Sequence, residues 1–234
     1  MPYRRLPKTD QARLRALRKA VDSSIDNGIF TNVLSHNTYY RAKTFLERFT
    51  REVAMYKKCV VEQSAKRGNE KYEAALKRAR MYVSHFIQVL SMSIMRGEIA
   101  RNKRSYYGLP EDEDTVPNLF SESAVLEWGV KIMEGEKRRQ KEGGVPIYNP
   151  TMGRVSVVFD LFKEMYDRQA QLQQRTNEAL KNISDMRFEG DEIILEAWSE
   201  IEKAFASFPA DIRLKKCAEY GIIYYTRVDR KKRD

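Results

Sequence analysis

The sequence predicts an all-α fold, an antiparallel helical bundle built from two long helical hairpins plus additional shorter helices. Three observations predict it. Apolar residues recur at alternating spacings of three and four along most of the chain, the period of a helix with one buried face. Only 7 Pro and 11 Gly occur in 234 residues, too few for the many turns of a β architecture. Finally, 42% hydrophobic against 32% charged residues supplies both a core and solvated helix faces.

Thr9 or Asp10 is placed to cap a first helix reaching about Ser24, with Leu14, Leu17 and Val21 on its apolar stripe. Asp26, Asn27 and Gly28 end it, and residues 29–34 read as a connection. A second helix is expected to begin near Ser35–Asn37 and to continue to about Lys66. Tyr39, Ala42, Leu46, Phe49, Val53, Tyr56 and Val60 form its narrow seam. Arg67, Gly68 and Asn69 make a turn. A third helix carries Tyr72, Leu76, Ala79, Val83, Phe86, Ile87, Leu90 and Ile94 and ends near Asn102.

In an antiparallel hairpin, facing residues share a constant sum of residue numbers. Val60 with Leu76, Val53 with Val83, Phe49 with Ile87, Leu46 with Leu90 and Ala42 with Ile94 satisfy that condition, and Tyr56 with Ala79 misses by one. The first hairpin is therefore expected over 37–101. Its uncharged stretch 81–95 reads as a helix buried on most sides, because Ser84, His85, Gln88, Ser91 and Ser93 argue against lipid.

Residues 103–120, with Gly108, Pro110 and Pro117, form an irregular connection. Its run Glu111, Asp112, Glu113, Asp114 has the oxygen chemistry of a hard-cation site but lacks the calcium-loop spacing and glycine, so it reads as a solvated acidic loop. A fourth helix over 121–142 carries Val125, Leu126, Trp128, Ile132 and Met133. Asn149 and Pro150 suit an N-cap and first-turn proline for a fifth helix to about Arg187. Its seam holds Val158, Phe162, Met165, Leu172, Ala179, Ile183 and Met186. Gly190 turns the chain into a sixth helix bearing Ile194, Ala197, Trp198, Ile201, Phe205 and Phe208, which Pro209 stops. Met186 with Ile194, Ile183 with Ala197 and Ala179 with Ile201 share a constant sum, giving a second hairpin over 150–208. A short helix over 210–220, capped by Gly221, and an extended apolar segment 222–225 follow. The organisation expected is thus a single all-helical domain, 1–234. It comprises hairpin 37–101, a crossover loop and helix 102–149, hairpin 150–208, and a short helix with a basic tail 209–234.

Charge is unevenly placed. The net is +10, but residues 1–108 carry 23 basic and 9 acidic side chains while 109–226 carry 15 and 22. The basic residues Arg227, Arg230, Lys231, Lys232 and Arg233 close the chain. Two explanations compete: a nucleic-acid surface, or a basic and an acidic half that attract each other. For nucleic acid, the candidate residues are Arg4, Arg5, Arg13, Arg15, Arg101, Lys103 and Arg104, with Tyr106, Tyr107, Tyr224 and Tyr225 supplying faces for bases. Against it, tyrosines also close bundle ends. Glu47 with Arg51 and Arg48 with Glu52 can pair along the second helix.

Catalytic chemistry has little to rest on. The chain lacks a glycine-rich nucleotide fingerprint, a phosphate loop, a G-x-S-x-G elbow and a C-x-x-C pair. Neither His36 nor His85 is preceded by Glu at three residues, as a di-iron carboxylate bundle requires. His85 reads as a hydrogen-bonded core residue before a general base. Cys59 and Cys217 read as small buried hydrophobes in a reducing cytosol. Glu192, Glu196 and Glu200 share one helix face, which is solvated or meets a basic helix. No catalytic residue, cofactor or metal site is assigned. Residues 1–20 lack the apolar run of a signal peptide, and nothing approaches the ~20 apolar residues of a membrane span.

The strings PYRRLPKTDQARLRALRKAV, YVSHFIQVL, VPIYNPT and KCAEYGIIYY, spread over nearly the whole chain, resemble an uncharacterised family of Bacteroidetes all-helical proteins. The resemblance implies a bacterial origin and an all-helical fold, and carries over no activity, cofactor or site residue. The sequence is thus read as a cytoplasmic, non-enzymatic structural or protein-interaction protein whose partner is another protein or itself. The alternative is a nucleic-acid-associated protein using the basic N-terminal half.

Overall fold

The computed structural model describes residues 3–26, 29–67 and 70–225. The fold is all-α. Helices α1 (Asp10–Asp22), α2 (His36–Arg67), α3 (Glu70–Met95), α4 (Glu122–Lys141), α5 (Met152–Ala204) and α6 (Ala210–Glu219) dominate, with a 3-10 helix at Arg101–Tyr107. Two-residue strands form two minimal antiparallel sheets. β1 (Tyr3–Arg4) pairs with β4 (Tyr224–Tyr225), and β2 (Ile25–Asp26) pairs with β3 (Ile29–Phe30). Asn27, Gly28, Gly68, Asn69 and the basic residues from Arg227 onward lie outside the described residues.

The helix starts follow local chemistry. The Thr9 hydroxyl accepts from the Ala12 amide at 3.2 Å, and Ser35 and Ser121 do the same for Thr38 and Ala124. The fifth helix differs from expectation at its start. Its cap is Thr151, whose carbonyl accepts from Val155 N at 3.1 Å and whose hydroxyl accepts from Arg154 N at 3.4 Å. Asn149 and Pro150, joined by a cis peptide bond, precede it.

The chain divides into two compact units, Met1–Val60 with Arg175–Asp234, and Val61–Gln174. The core of the first gathers Leu14, Leu17 and Val21 of α1 with Ala42, Phe45, Phe49 and Val53 of α2. It adds Ile183, Ile193, Ile194, Ala197, Trp198 and Ile201 of α5 and Cys217 of α6. Hydrogen bonds and ion pairs then mark the α2–α5 register. Thr38 donates to Glu200 at 2.7 Å, Arg41 and Arg48 pair with Glu196 and Glu189, and Asn182 donates to Glu52. Numbers rising on α2 meet numbers falling on α5, so the two helices run antiparallel. Arg48 and Glu52 therefore turn to α5 rather than to each other.

The core of the second unit gathers Leu76, Ala79, Val83, Phe86, Ile87, Leu90 and Ile94 of α3. Against them lie Tyr107, Val125 and Ile132 of the 3-10 helix and α4, and Val155 and Phe162 of α5. This corrects the first expected hairpin. Its layers would have closed Val53 on Val83, Phe49 on Ile87 and Leu46 on Leu90, yet Val53 and Phe49 belong to one cluster and Val83, Ile87 and Leu90 to the other. Each seam is buried as its spacing predicts, against partners in its own unit.

The second expected hairpin is also replaced, because α5 runs unbroken from Met152 to Ala204. Gly190 is helical, and its role is close approach. A Cβ there would stand 2.9 Å from the Phe45 ring. The glycine cost of about 1 kcal/mol in a helix interior is offset by the packing of Phe45, which is only 2% exposed. The stretch 81–95 is one-sided rather than buried all round. Val83, Phe86, Ile87 and Leu90 are buried, while Met81, His85, Gln88, Met92 and Met95 face solvent.

Candidate interaction groove

A groove of ≈ 810 Å³ opens in the first unit. Its walls are built from the extended segment 5–9, one face of α1, the exposed side of α6 and the segment 221–225. Ala12, Arg15, Ala16 and Lys19 project into it at helical spacing, with the alanines leaving room between the cations. Gly221 makes the last wall possible. It has φ +92°, and a Cβ on it would meet the Lys19 Cβ at 3.0 Å. The segment after α6 thereby passes close against α1 and pairs β4 with β1.

The floor is apolar, formed by Leu6, Ala16, Trp198, Leu214 and Ile222. Around it stand Arg5, Lys8, Arg15, Lys19 and Lys215, all exposed, and among the described residues no Asp or Glu lines the groove. None of these cations has a side-chain partner among the described residues. Tyr224 and Tyr225 complete the wall. Burial, then its hydrogen bond to Glu202 at 2.7 Å, raises the Tyr224 phenol above its ordinary value, so it stays a donor. The arrangement concentrates positive charge over a low-dielectric floor, where an anion is attracted more strongly than on an open surface.

Of the basic residues singled out from the sequence, Arg5 and Arg15 reach this groove. The other basic candidates are engaged within the chain. Arg4 pairs with Glu202 at 2.8 Å, and Arg13, 8% exposed, holds both carboxylate oxygens of Asp191 at 2.8 Å. Arg101 donates to the Glu111 carbonyl at 2.7 Å and faces Asp114 at 3.4 Å. Lys103 donates to Glu142 at 2.6 Å and to the Tyr106 hydroxyl at 2.8 Å. Arg104 is fully buried, donating to Ser91 at 2.9 Å, to the Pro110 carbonyl at 2.7 Å and to the Glu113 carbonyl. Lys8, Lys19 and Lys215 went unnoticed in the sequence. Lys19 stands one turn after Arg15, a signal that was there to be read.

The second unit holds a buried ionic cluster that the sequence reading also missed. Glu136 is 0% exposed and accepts from Arg139 Nη2 at 2.8 Å, Arg139 Nε at 3.0 Å, the Tyr107 hydroxyl at 2.6 Å and Gln140 at 2.9 Å. Burial pushes this carboxyl up, but the hydrogen bonds from Arg139, Tyr107 and Gln140 outweigh it and hold the group below its ordinary value. Burial and then Glu136 raise the Tyr107 phenol. Arg139 also donates to the Val145 carbonyl at 2.8 Å, and the Ile147 amide donates to Glu136 at 3.3 Å. The cluster thus ties the segment after α4 to the helix. Its signature was legible: Val125, Gly129, Ile132, Glu136 and Arg139 continue one stripe of four-and-three spacing, all buried.

His85 is exposed rather than a core residue, Cys59 and Cys217 are buried free thiols, and burial pushes the Cys217 thiol up. Among the described residues, no three His, Cys, Asp or Glu side chains converge as metal ligands would, and no helix is long and apolar enough to cross a membrane. Glu196 and Glu200 meet α2 through Arg41, Ser35 and Thr38, while Glu192 stays exposed. No family model, curated protein or solved structure matches the chain.

Proposed function

We propose that this is a non-enzymatic interaction protein that docks an acidic segment of a protein partner in the groove of its first unit. One observation carries the reading. Arg5, Lys8, Arg15, Lys19 and Lys215 surround an apolar floor without a carboxylate among them, whereas Arg4, Arg13, Arg101, Lys103 and Arg104 are satisfied within the chain. Such charges, without side-chain partners among the described residues and set around a concave surface, favour an external anion. A cytoplasmic setting and a Bacteroidetes-type origin belong to the same proposal. The first is suggested by cysteine usage, the second by sequence strings alone.

A second reading is favoured by Tyr224 and Tyr225 in the same wall, since aromatic faces beside cations suit single-stranded nucleic acid. One titration separates them. A labelled glutamate-rich 12-residue peptide and a labelled mixed-sequence 12-nucleotide strand are followed by fluorescence anisotropy over a range of salt. The peptide is expected to bind and to be lost on Lys19→Glu. Tighter binding of the oligonucleotide, with a log–log salt slope near −0.7 per phosphate contacted, would replace the first reading with the second.

A further inference from the structure

We propose that the occupant of the groove is the acidic loop of a second copy of this chain, so that the protein self-associates groove to loop. The inference rests on the reading of the groove as a dock for an acidic protein segment and names that segment.

Residues 111–114, Glu-Asp-Glu-Asp, are the only run of four consecutive acidic residues in the sequence, and all four are exposed. Asp114 is engaged by Arg101 and Arg104, and Glu113 accepts from Thr115. The carboxylates of Glu111 and Asp112 have no partner among the described residues. The loop is held from behind by its backbone. Arg104 donates to the carbonyls of Pro110 and Glu113, Arg101 to that of Glu111, and Arg80 to those of Leu119 and Phe120. Leu109 and Leu119, 3% and 7% exposed, anchor it on either side.

Two consequences follow from that construction. The carboxylates are already presented to solvent on an ordered backbone, so docking gives up little conformational freedom. The segment 113–120 is neither helix nor strand, leaving an irregular ridge, and Phe120, 85% exposed at its end, offers an apolar group to an apolar floor. The ridge is anionic and the groove is cationic and free of acid, so charge and apolar character match in both respects. Groove and loop are different surfaces, so each contact joins unlike patches: two reciprocal contacts close a two-fold dimer, and one contact per neighbour closes a ring or extends a chain.

Sedimentation velocity of the full chain tests this. The sedimentation coefficient is expected to rise with protein concentration at about 50 mM salt and to fall to the monomer value near 1 M, where screening shortens to ~3 Å. Arg15→Glu/Lys19→Glu in the groove and Glu111→Lys/Asp112→Lys in the loop alter exposed side chains without partners among the described residues, so both variants should melt like the parent. Each alone should be monomeric, and an equimolar mixture should reassemble, because the reversed groove now fits the reversed loop. A parent that stays monomeric at every concentration in low salt, or double variants that assemble unchanged, would overturn the proposal.

A labelled peptide of sequence LPEDEDTVPNLF, residues 109–120, distinguishes this failure from that of the broader reading. If the glutamate-rich peptide binds the groove while the full chain stays monomeric and LPEDEDTVPNLF does not bind, self-association falls and acidic docking stands. If neither peptide binds at low salt, both fall. If an oligonucleotide of equal length binds more tightly than either peptide, both yield to the nucleic-acid reading.

Discussion

The two units handle charge in opposite ways. In the first, ion pairs border an apolar core, and Arg13, 8% exposed, is that unit's one buried charge among the described residues. Arg13 links α1 to Asp191 of α5, Arg187 returns the link to Asp10 at 2.8 Å, and Arg41 and Arg48 tie α2 to α5. In the second, charges sit inside. Glu136 and Arg104 are 0% exposed and Arg139 is 4% exposed. What differs is the thing being held. The first unit positions helices against helices, whose apolar seams supply the adhesion while the ion pairs select register. The second must also fix two irregular segments, 108–120 and 142–149, whose backbone carbonyls and amides need partners. Arg104 and Arg139 with Glu136 supply those partners, and in doing so require burial.

The largest expected effect tests that contrast. Glu136→Ala leaves Arg139 as an uncompensated buried charge and should cost roughly 3–5 kcal/mol, read by urea denaturation of the full chain. A loss below about 1 kcal/mol would mean that water reaches the cluster and that the two units do not differ in kind. The same group predicts an acid limb. Its folded carboxyl lies below the ordinary value, because the donors outweigh burial. The stability it contributes is therefore complete above its unfolded value near pH 4.3, and is lost as pH falls through the depressed folded value. Glu136→Gln should flatten that limb of a stability–pH curve. An unchanged limb would assign acid sensitivity to other carboxylates.

The separation of the cores has its own test. Phe49→Ala and Leu90→Ala should cost about 3–5 and 2–5 kcal/mol respectively, since both side chains are fully buried. Their double-mutant cycle should show coupling below about 0.5 kcal/mol, because they belong to separate clusters. Coupling above ~1 kcal/mol would restore the hairpin in which they are neighbours. Next in size, Gly190→Ala should destabilise by about 1–3 kcal/mol through the clash with Phe45, less the ~1 kcal/mol that alanine returns to a helix. A stabilised variant would show that the close approach is absent. Smallest of all, Arg41→Ala should cost only about 0.2–1 kcal/mol, as exposed pairs do, and less than Arg13→Ala. Equal thermal shifts for the two would remove burial as the quantity that ranks them.

The α2 and α3 seams show how much of this was legible and where the reading stopped. Ala42, Phe49 and Val53, and Leu76, Val83, Ile87 and Leu90, are buried as their spacing indicates, because periodicity reports which face of a helix meets a core. Periodicity does not report which core. Two seams of three-and-four spacing fall into register with each other at many offsets, so a constant sum of residue numbers selects no partner. Gly190 misled for a related reason. Glycine stops helices, but it also admits a ring, and only Phe45 arriving across the interface tells the two uses apart. The groove was half legible. Arg5 and Arg15 were recognised as basic, yet nothing local distinguishes them from Arg4 and Arg13, which fold onto Glu202 and Asp191.

The sequence by itself determined the helical class, the start of α1 at Thr9 or Asp10, the apolar seams of α1, α2 and α3, and the break at Gly221. Each depends on interactions within a few residues, whose geometry the backbone imposes wherever the segment lies. Only the tertiary structure decided the pairing of α2 with α5, the continuity of α5 through Gly190, the burial of Glu136 and Arg139, and which cations lack a partner among the described residues. Those outcomes depend on groups remote in sequence, such as Arg13 and Asp191. Their energies exist only once the chain has brought them to hydrogen-bonding distance.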